Sequence, residues 1–448
     1  MINSLIPFVV VGYFLFFLKN NRLNNILTGL IFVSFFAFST NYDHFGFDFY
    51  IFRYLHRSIG VLVVIALALH IFRHRVNVFK ELVPRILALF VLAILLSFIG
   101  NDIDVPNYIH YVRNFIFISS IVVYLYYLID SRAKLEELFG LIIAITVILS
   151  CFMVLEVLQN AWMSDIRKSL NFGNANYLAY ALFPGFVLTV FSKKSYFMWF
   201  FAPLVIFAIF ASGSRAVELS SIFVIFLYVY QRLNKKIYLI PVVIGVIAIL
   251  VLFFNQIMTN KNFDLYKKSR YVLANSSNIE VRQALSKIAL NIFQEHPING
   301  IGYGQFMSKF RNYIDSDIIE MKNIEINDTL KGYQGDFPKS VLLSSMNPKR
   351  LEYEGLYISP EKMTHNDLLT VVAELGLLGI ACVVFLFYKL YIELQKLLLH
   401  NRDYFFLSIG LIGSSLLFSL FHNNLTSFVF WFVLFIPFIM NRNYIKTR

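Results

Sequence analysis

Cysteine is nearly absent from this 448-residue chain: there are two, Cys151 and Cys382. Both fall inside apolar runs, so they suit packing and supply no disulfide framework. Charge is scarce too, at 15% of residues, where a soluble domain carries about a quarter. No Cys/His cluster has zinc spacing. No GxxxxGK[ST] stretch occurs, so the usual phosphate-cradling nucleotide loop is missing. The chain also lacks an internal repeat, a low-complexity linker and a convincing secretory signal: the first apolar run has neither a basic n-region nor a small-residue cleavage site.

What is abundant is apolar sequence. Hydrophobic residues make up 58% of the chain and aromatic residues 17%. Runs of roughly 17 or more apolar residues can cross a bilayer as helices. About thirteen are present, near 3–18, 25–40, 57–72, 84–99, 108–129, 138–158, 175–192, 195–211, 215–231, 237–254, 367–391, 403–421 and 425–440. Their length and number exclude buried core strands. The expected fold is an all-α integral membrane protein with about 12–13 transmembrane helices. Three parts follow: an N-terminal bundle (1–254), one large and partly helical polar loop (255–363), and C-terminal helices (364–448).

The net charge of +12 could suggest a nucleic-acid partner, but the placement of the charges argues against one. Nineteen basic residues cluster in alternate short loops, among them Arg73, Arg75, Arg132, Lys134, Arg232, Lys235, Arg402 and Arg442. The other short loops hold six: Arg53, Arg57, Arg113, Arg167, Lys168 and Arg215. The positive-inside rule makes the first set cytoplasmic, with the C-terminus inside, the N-terminus outside and the large loop on the external face.

Ionisable residues near spans are costly and so are candidate functional groups. Arg215 and Glu218 open the ninth span, Arg113 and His110 the fifth; Glu156 is near the outer end of the sixth, and Asp367 and Glu374 lie in the eleventh. Each also has a plain reading. Arg215 can snorkel or pair with Glu218 at i,i+3, and Arg113 and His110 can anchor at the interface. His56, His70 and His74 all lie in or beside one span, which suits interface residues better than a haem site.

Within the polar loop, apolar residues at Val281, Ala284, Leu285, Ile288 and Ile292 predict a helix over 278–293 with Arg282 on its flank. It should break at His296-Pro297. Gly300, Gly302 and Gly304 then permit a tight turn with exposed N–H groups, either an ordinary turn or one that approaches a phosphate. Thr364 followed by Asp367 reads as a capping box, which puts His365 in the first turn of the next span. The positive helix end there favours a neutral imidazole able to accept a proton; an interfacial histidine bonded to its own loop is the other reading.

Four stretches, in order, resemble the O-antigen ligase and polymerase superfamily of bacterial membrane glycosyltransferases. They are the Asn171–Ala179 stretch with Asn176, Ser212-Gly-Ser-Arg215-Ala216, Arg282 followed by His296–Phe306, and Thr364–Leu369 with Glu374–Gly379. The likeness spans about residues 170–380. Related ligases tend to have about twelve spans and a cytoplasmic N-terminus, which differs from the charge-based topology. The resemblance implies transfer of a glycan from an undecaprenyl pyrophosphate carrier to an acceptor hydroxyl, at the external face of the bacterial inner membrane. No cofactor or metal is required. Arg215 and Arg282 would clamp the pyrophosphate and His365 would act as general base. Asn176, Gly300, Gly302, Asn366 and Glu374 would support them. Implied partners are the lipid-linked oligosaccharide, membrane lipids and an acceptor glycan, with room for a chain-length regulator. The acceptor separates a repeat-unit polymerase from a ligase that uses lipid A–core; the polymerase is slightly preferred. A lipid-linked oligosaccharide flippase is the competing class, but it would predict mid-bilayer charges and repeats.

Overall fold

The computed structural model describes residues 31, 50–159, 170, 175–191, 200–232, 276–313, 364, 366–422, 424–425 and 427–446. Among them are twelve α-helices and no strand. They are α1 (Tyr50–His74), α2 (Leu82–Leu96), α3 (Val105–Leu128), α4 (Arg132–Gln159), α5 (Ala175–Val190) and α6 (Ala202–Ser212). Then come α7 (Arg215–Arg232), α8 (Ser276–Glu295), the one-turn α9 (Phe306–Lys309), α10 (Asp367–His400), α11 (Arg402–Ser419) and α12 (Phe428–Lys446). Ten of the thirteen expected spans coincide in whole or part with one of these; those at 3–18 and 237–254, and that at 25–40 apart from Ile31, lie outside the described residues.

The chain is an all-α membrane protein. Val105–Leu128, Arg132–Leu158 and Asp367–His400 are each long and apolar enough to cross a bilayer, and Leu82–Leu96, Asn176–Val190 and Phe428–Asn443 are among the shorter apolar helices. α12 is hydrophobic on all sides because it is the central helix. Every residue from Val429 to Ile436 is buried. Its Trp431 ring meets Phe90 of α2 at 5.1 Å and Phe115 of α3 at 5.3 Å, both edge-on.

Sparse polar contacts fix helix register. Gln231 of α7 donates to Asp403 of α11 at 2.6 Å, and Ser220 donates to the Ser414 carbonyl at 3.4 Å. α7 and α11 are therefore antiparallel, and the start of α7 lies level with the end of α11. α5 is pinned to α11 by Tyr180, which donates to Ser415 at 3.1 Å and stacks on Phe418 at 4.3 Å.

Two expectations need correction. α10 runs to His400, beyond the expected end at 391. Leu394 and Leu397 continue its apolar face, and Glu393 is held by Asn441 of α12 at 2.7 Å and Lys396 at 2.7 Å. Its start also differs. Asn366 is the N-cap, accepting from Leu368 and Leu369 N–H at 3.0 and 3.2 Å. Thr364 does not cap; its hydroxyl bonds the Asn366 carbonyl and Thr370. The helix begins at Asp367, so His365 precedes its first turn.

Candidate functional site

α8 forms as the apolar spacing predicts, and its buried stripe is Leu285, Ile288, Ala289 and Ile292. The side chains of Val281 and Ala284 lie outside the described set. The stripe packs on Ile301, Phe306 and Phe310 from the following turn and on Ala373 from α10. α8 ends where Pro297 interrupts it, as expected, and the chain then enters the glycine turn. Gly300, Gly302 and Gly304 have φ of +64, +102 and +75°, a region that disfavours residues with a Cβ.

The turn docks into a break in α10. Gly376 has φ +57 and ψ −145°, so the helix opens there. In an unbroken helix the Ala373 and Glu374 carbonyls would accept from Leu377 and Leu378. Instead Ile301 and Gly302 donate to those carbonyls at 3.0 and 3.1 Å. The freed Leu377 and Leu378 N–H groups donate to the Pro297 and Ile298 carbonyls at 2.8 and 3.1 Å. Four hydrogen bonds between turn and helix thus replace two helical ones, and the two carbonyls and two N–H groups freed by the break are all paired. Backbone contact is so close that a Cβ on Gly376 would lie 2.6 Å from the Pro297 carbonyl oxygen.

Glu374 completes the dock. Its buried carboxylate accepts from Gly304 N–H at 2.9 Å and Phe306 N–H at 3.0 Å. Such charge-assisted bonds are stronger than neutral ones. Within the turn, the N–H groups of Gly300 through Phe306 all have protein acceptors: His296, Ala373, Glu374, Ser97 and Gly302 supply them. None is left for a phosphate. Of the two readings of the glycines, the ordinary structural turn is the one this geometry fits.

The opposite side of the turn rests on the α2–α3 connection, which the sequence likeness did not reach. Asn101 donates to the Gly300 carbonyl at 2.8 Å, and Ser97 accepts from Tyr303 N–H at 3.1 Å. The backbone of Asp104 and the amide of Gln305 exchange two bonds, at 2.9 and 3.2 Å. No local sequence signal announces these partners, about two hundred residues apart. Tyr303 is fully enclosed here. Burial, and next the Glu374 carboxylate, hold its phenol well above the ordinary tyrosine range.

Arg282 emerges from this scaffold half-buried, its guanidinium 5.8 Å from the Phe421 ring just past the end of α11. Among the described residues no carboxylate pairs with it. Burial lowers its pKa from the usual value, yet guanidinium stays charged near neutrality. Arg215 starts α7 two residues after the left-handed Gly213, where α6 stops. By the α7–α11 register it lies level with Ser419, two residues short of Phe421. Asn176 lies one turn before Tyr180, toward the same end of α11.

The start of α10 arrives there as well. Asp367 is buried and accepts from Asn424 and Leu425 N–H at 2.6 and 3.1 Å, tying α10 to the α11–α12 connection. His365 itself lies outside the described residues. Sequence reading missed Phe421 and His422, whose ring meets Phe418 at 4.4 Å. The polar His422-Asn423-Asn424 stretch between two spans was the available signal.

The end of α11 therefore gathers a half-buried cationic side chain, an aromatic face, a second arginine at the same level and the entry to α10. Such a set can hold an oxyanion of the phosphate type in bidentate fashion. No curated protein matches this chain. Residues 200–327, which carry Arg215, α8 and the glycine turn, match the family model described as O-antigen ligase, and the chain thus resembles the O-antigen ligase and polymerase superfamily.

Proposed function

We propose that the chain is a glycosyltransferase that moves a glycan from undecaprenyl pyrophosphate to an acceptor hydroxyl, acting as a repeat-unit polymerase at the external face of the bacterial inner membrane. Arg282 and Arg215 grip the pyrophosphate. They favour reaction to the extent that they bind the departing, more highly charged pyrophosphate better than the ester. His365 takes the proton from the acceptor hydroxyl as it attacks the sugar carbon, and the carbon–oxygen bond to pyrophosphate breaks. Glu374, Gly300 and Gly302 hold α8 at its place, Asn366 caps α10, and Asn176 supports the same end. The scheme calls for no metal.

One observation carries this reading: Arg282 is half-buried without an acidic partner among the described residues, at the end of α11 where α7 and α10 also begin. A cation kept partly out of water and unpaired is costly unless an anion binds it. The test is transfer from lipid-pyrophosphate-linked glycan by the reconstituted protein. His365→Ala should abolish transfer with expression intact, and Arg282→Lys should fail because an ammonium lacks the bidentate fork. Full activity of either variant removes that residue's role. The ligase reading has the description of the matched family in its favour. Glycan ladders formed from lipid-linked repeat units alone support the polymerase; product only with lipid A–core supports the ligase.

A further inference from the structure

α10, α11 and α12, with Phe90 of α2, line a partly open cavity of about 280 Å³. Its walls are apolar, with Leu386, Leu416, Trp431 and Leu434 among them, and Asp367 and Ser419 are its polar side chains. Asp367 is 3% exposed. Its Oδ1 already accepts from Asn424 and Leu425, while its Oδ2 has no hydrogen-bond partner. Among the described residues Ser419 and Asn424 are the side-chain donors nearest the carboxylate, and neither makes a hydrogen bond to that oxygen. Among the described residues two nearby donors are spent: Trp431 Nε1 on the Leu425 carbonyl at 2.8 Å, and Asn424 Nδ2 on Ser419 at 3.2 Å. A buried acceptor left unmade is expensive.

We propose that this cavity binds an aminophospholipid, one acyl chain filling the apolar space and the head-group ammonium donating to Asp367 Oδ2. Two features select that ligand. A water there would have only Asp367 and Ser419 as polar partners on this wall, the minimum that holds one in place, so it competes weakly with a charged donor. The lining alone does not discriminate between lipids, because bilayer tails are as apolar as the side chains. Selection falls to the head group, and a lone carboxylate oxygen prefers a cationic N–H donor. Phosphatidylcholine has the charge without the donor. Phosphatidylglycerol has hydroxyl donors but a net negative charge facing the carboxylate.

Native mass spectrometry of the full chain, titrated with these lipids bearing identical acyl chains, tests the proposal. Phosphatidylethanolamine should be retained roughly tenfold better than phosphatidylcholine or phosphatidylglycerol, as one charge-assisted hydrogen bond supplies. Asp367→Asn keeps an oxygen for Asn424 and Leu425 and should erase the preference. Leu417→Trp, on the cavity wall, should lower retention and decides the matter should Asp367→Asn not fold. Equal retention of the ethanolamine and choline lipids by the unaltered protein overturns the proposal. So does a preference that survives Asp367→Asn, retention unchanged by Leu417→Trp, or occupation by a polyprenyl phosphate ahead of phosphatidylethanolamine.

Discussion

Gly376→Ala attacks the break in α10 directly. The native φ of +57 with ψ of −145° is one that only glycine adopts without strain. Alanine there costs about 1–3 kcal/mol in backbone strain. Its Cβ would also meet the Pro297 and Ile298 carbonyl oxygens at 2.6 and 2.7 Å and Gly300 N at 2.8 Å. An escape is available to the variant: alanine favours regular helix, so α10 can close by restoring its two internal bonds and expelling the turn. The expected outcome is a helix that is intact but undocked. Hydrogen exchange reads this at Ile301, Gly302, Gly304 and Phe306, whose N–H groups are all held by α10. A shift of about 1.4–2.8 kcal/mol accelerates their exchange roughly 10- to 100-fold. Arg282, held through α8, should lose its position, and glycan transfer should fall in parallel. Unchanged protection at these four amides, or full transfer despite lost protection, would refute the idea that the docked turn positions Arg282.

Glu374→Gln keeps one acceptor but turns an NH₂ toward a backbone N–H, and should destabilise the protein by about 1–3 kcal/mol in thermal unfolding in detergent. Tyr303→Phe removes a buried hydroxyl that has no partner, so thermal stability should stay level or rise slightly, with transfer retained. Because the Tyr303 pKa is raised on folding, the folded state resists its ionisation. Stability from this group is complete below about pH 10 and is lost as pH climbs beyond it; Tyr303→Phe should flatten that alkaline fall in melting temperature. Asn366→Ala deletes the α10 cap and should cost about 1 kcal/mol, read by the same melt.

Much of the fold was legible because its cause is local. Apolar runs gave ten helices in whole or part, and the Leu285–Ile292 spacing gave α8 with Arg282 on it. Three glycines marked a turn that does adopt positive φ. What stayed hidden depends on distant partners. Glu374 read as an ionisable residue in a span, and its acceptors' donors, Gly304 and Phe306, sit about seventy positions away. Gly376 entered only as part of the Glu374–Gly379 stretch of the family likeness, and nothing near it reveals that the helix opens. Thr364 looked like a cap because Asp367 follows at the right spacing. The carboxylate is drawn instead to Asn424 and Leu425, leaving the cap to Asn366.

Translation imposes an order on the joint between the glycine turn and α10. Pro297 to Gly302 are made some seventy residues before Ala373 to Leu378, so the plug exists before its socket. A newly inserted α10 has two choices, a closed helix that satisfies itself or an open one that needs the plug. The closed form needs no partner and is a ready kinetic trap. The glycine at 376 weakens that trap, since glycine costs a helix interior about 1 kcal/mol relative to alanine. Assembly therefore depends on α8 and its turn reaching the membrane surface before α10 has settled, which makes the spacing in time between these two segments part of how the molecule is built.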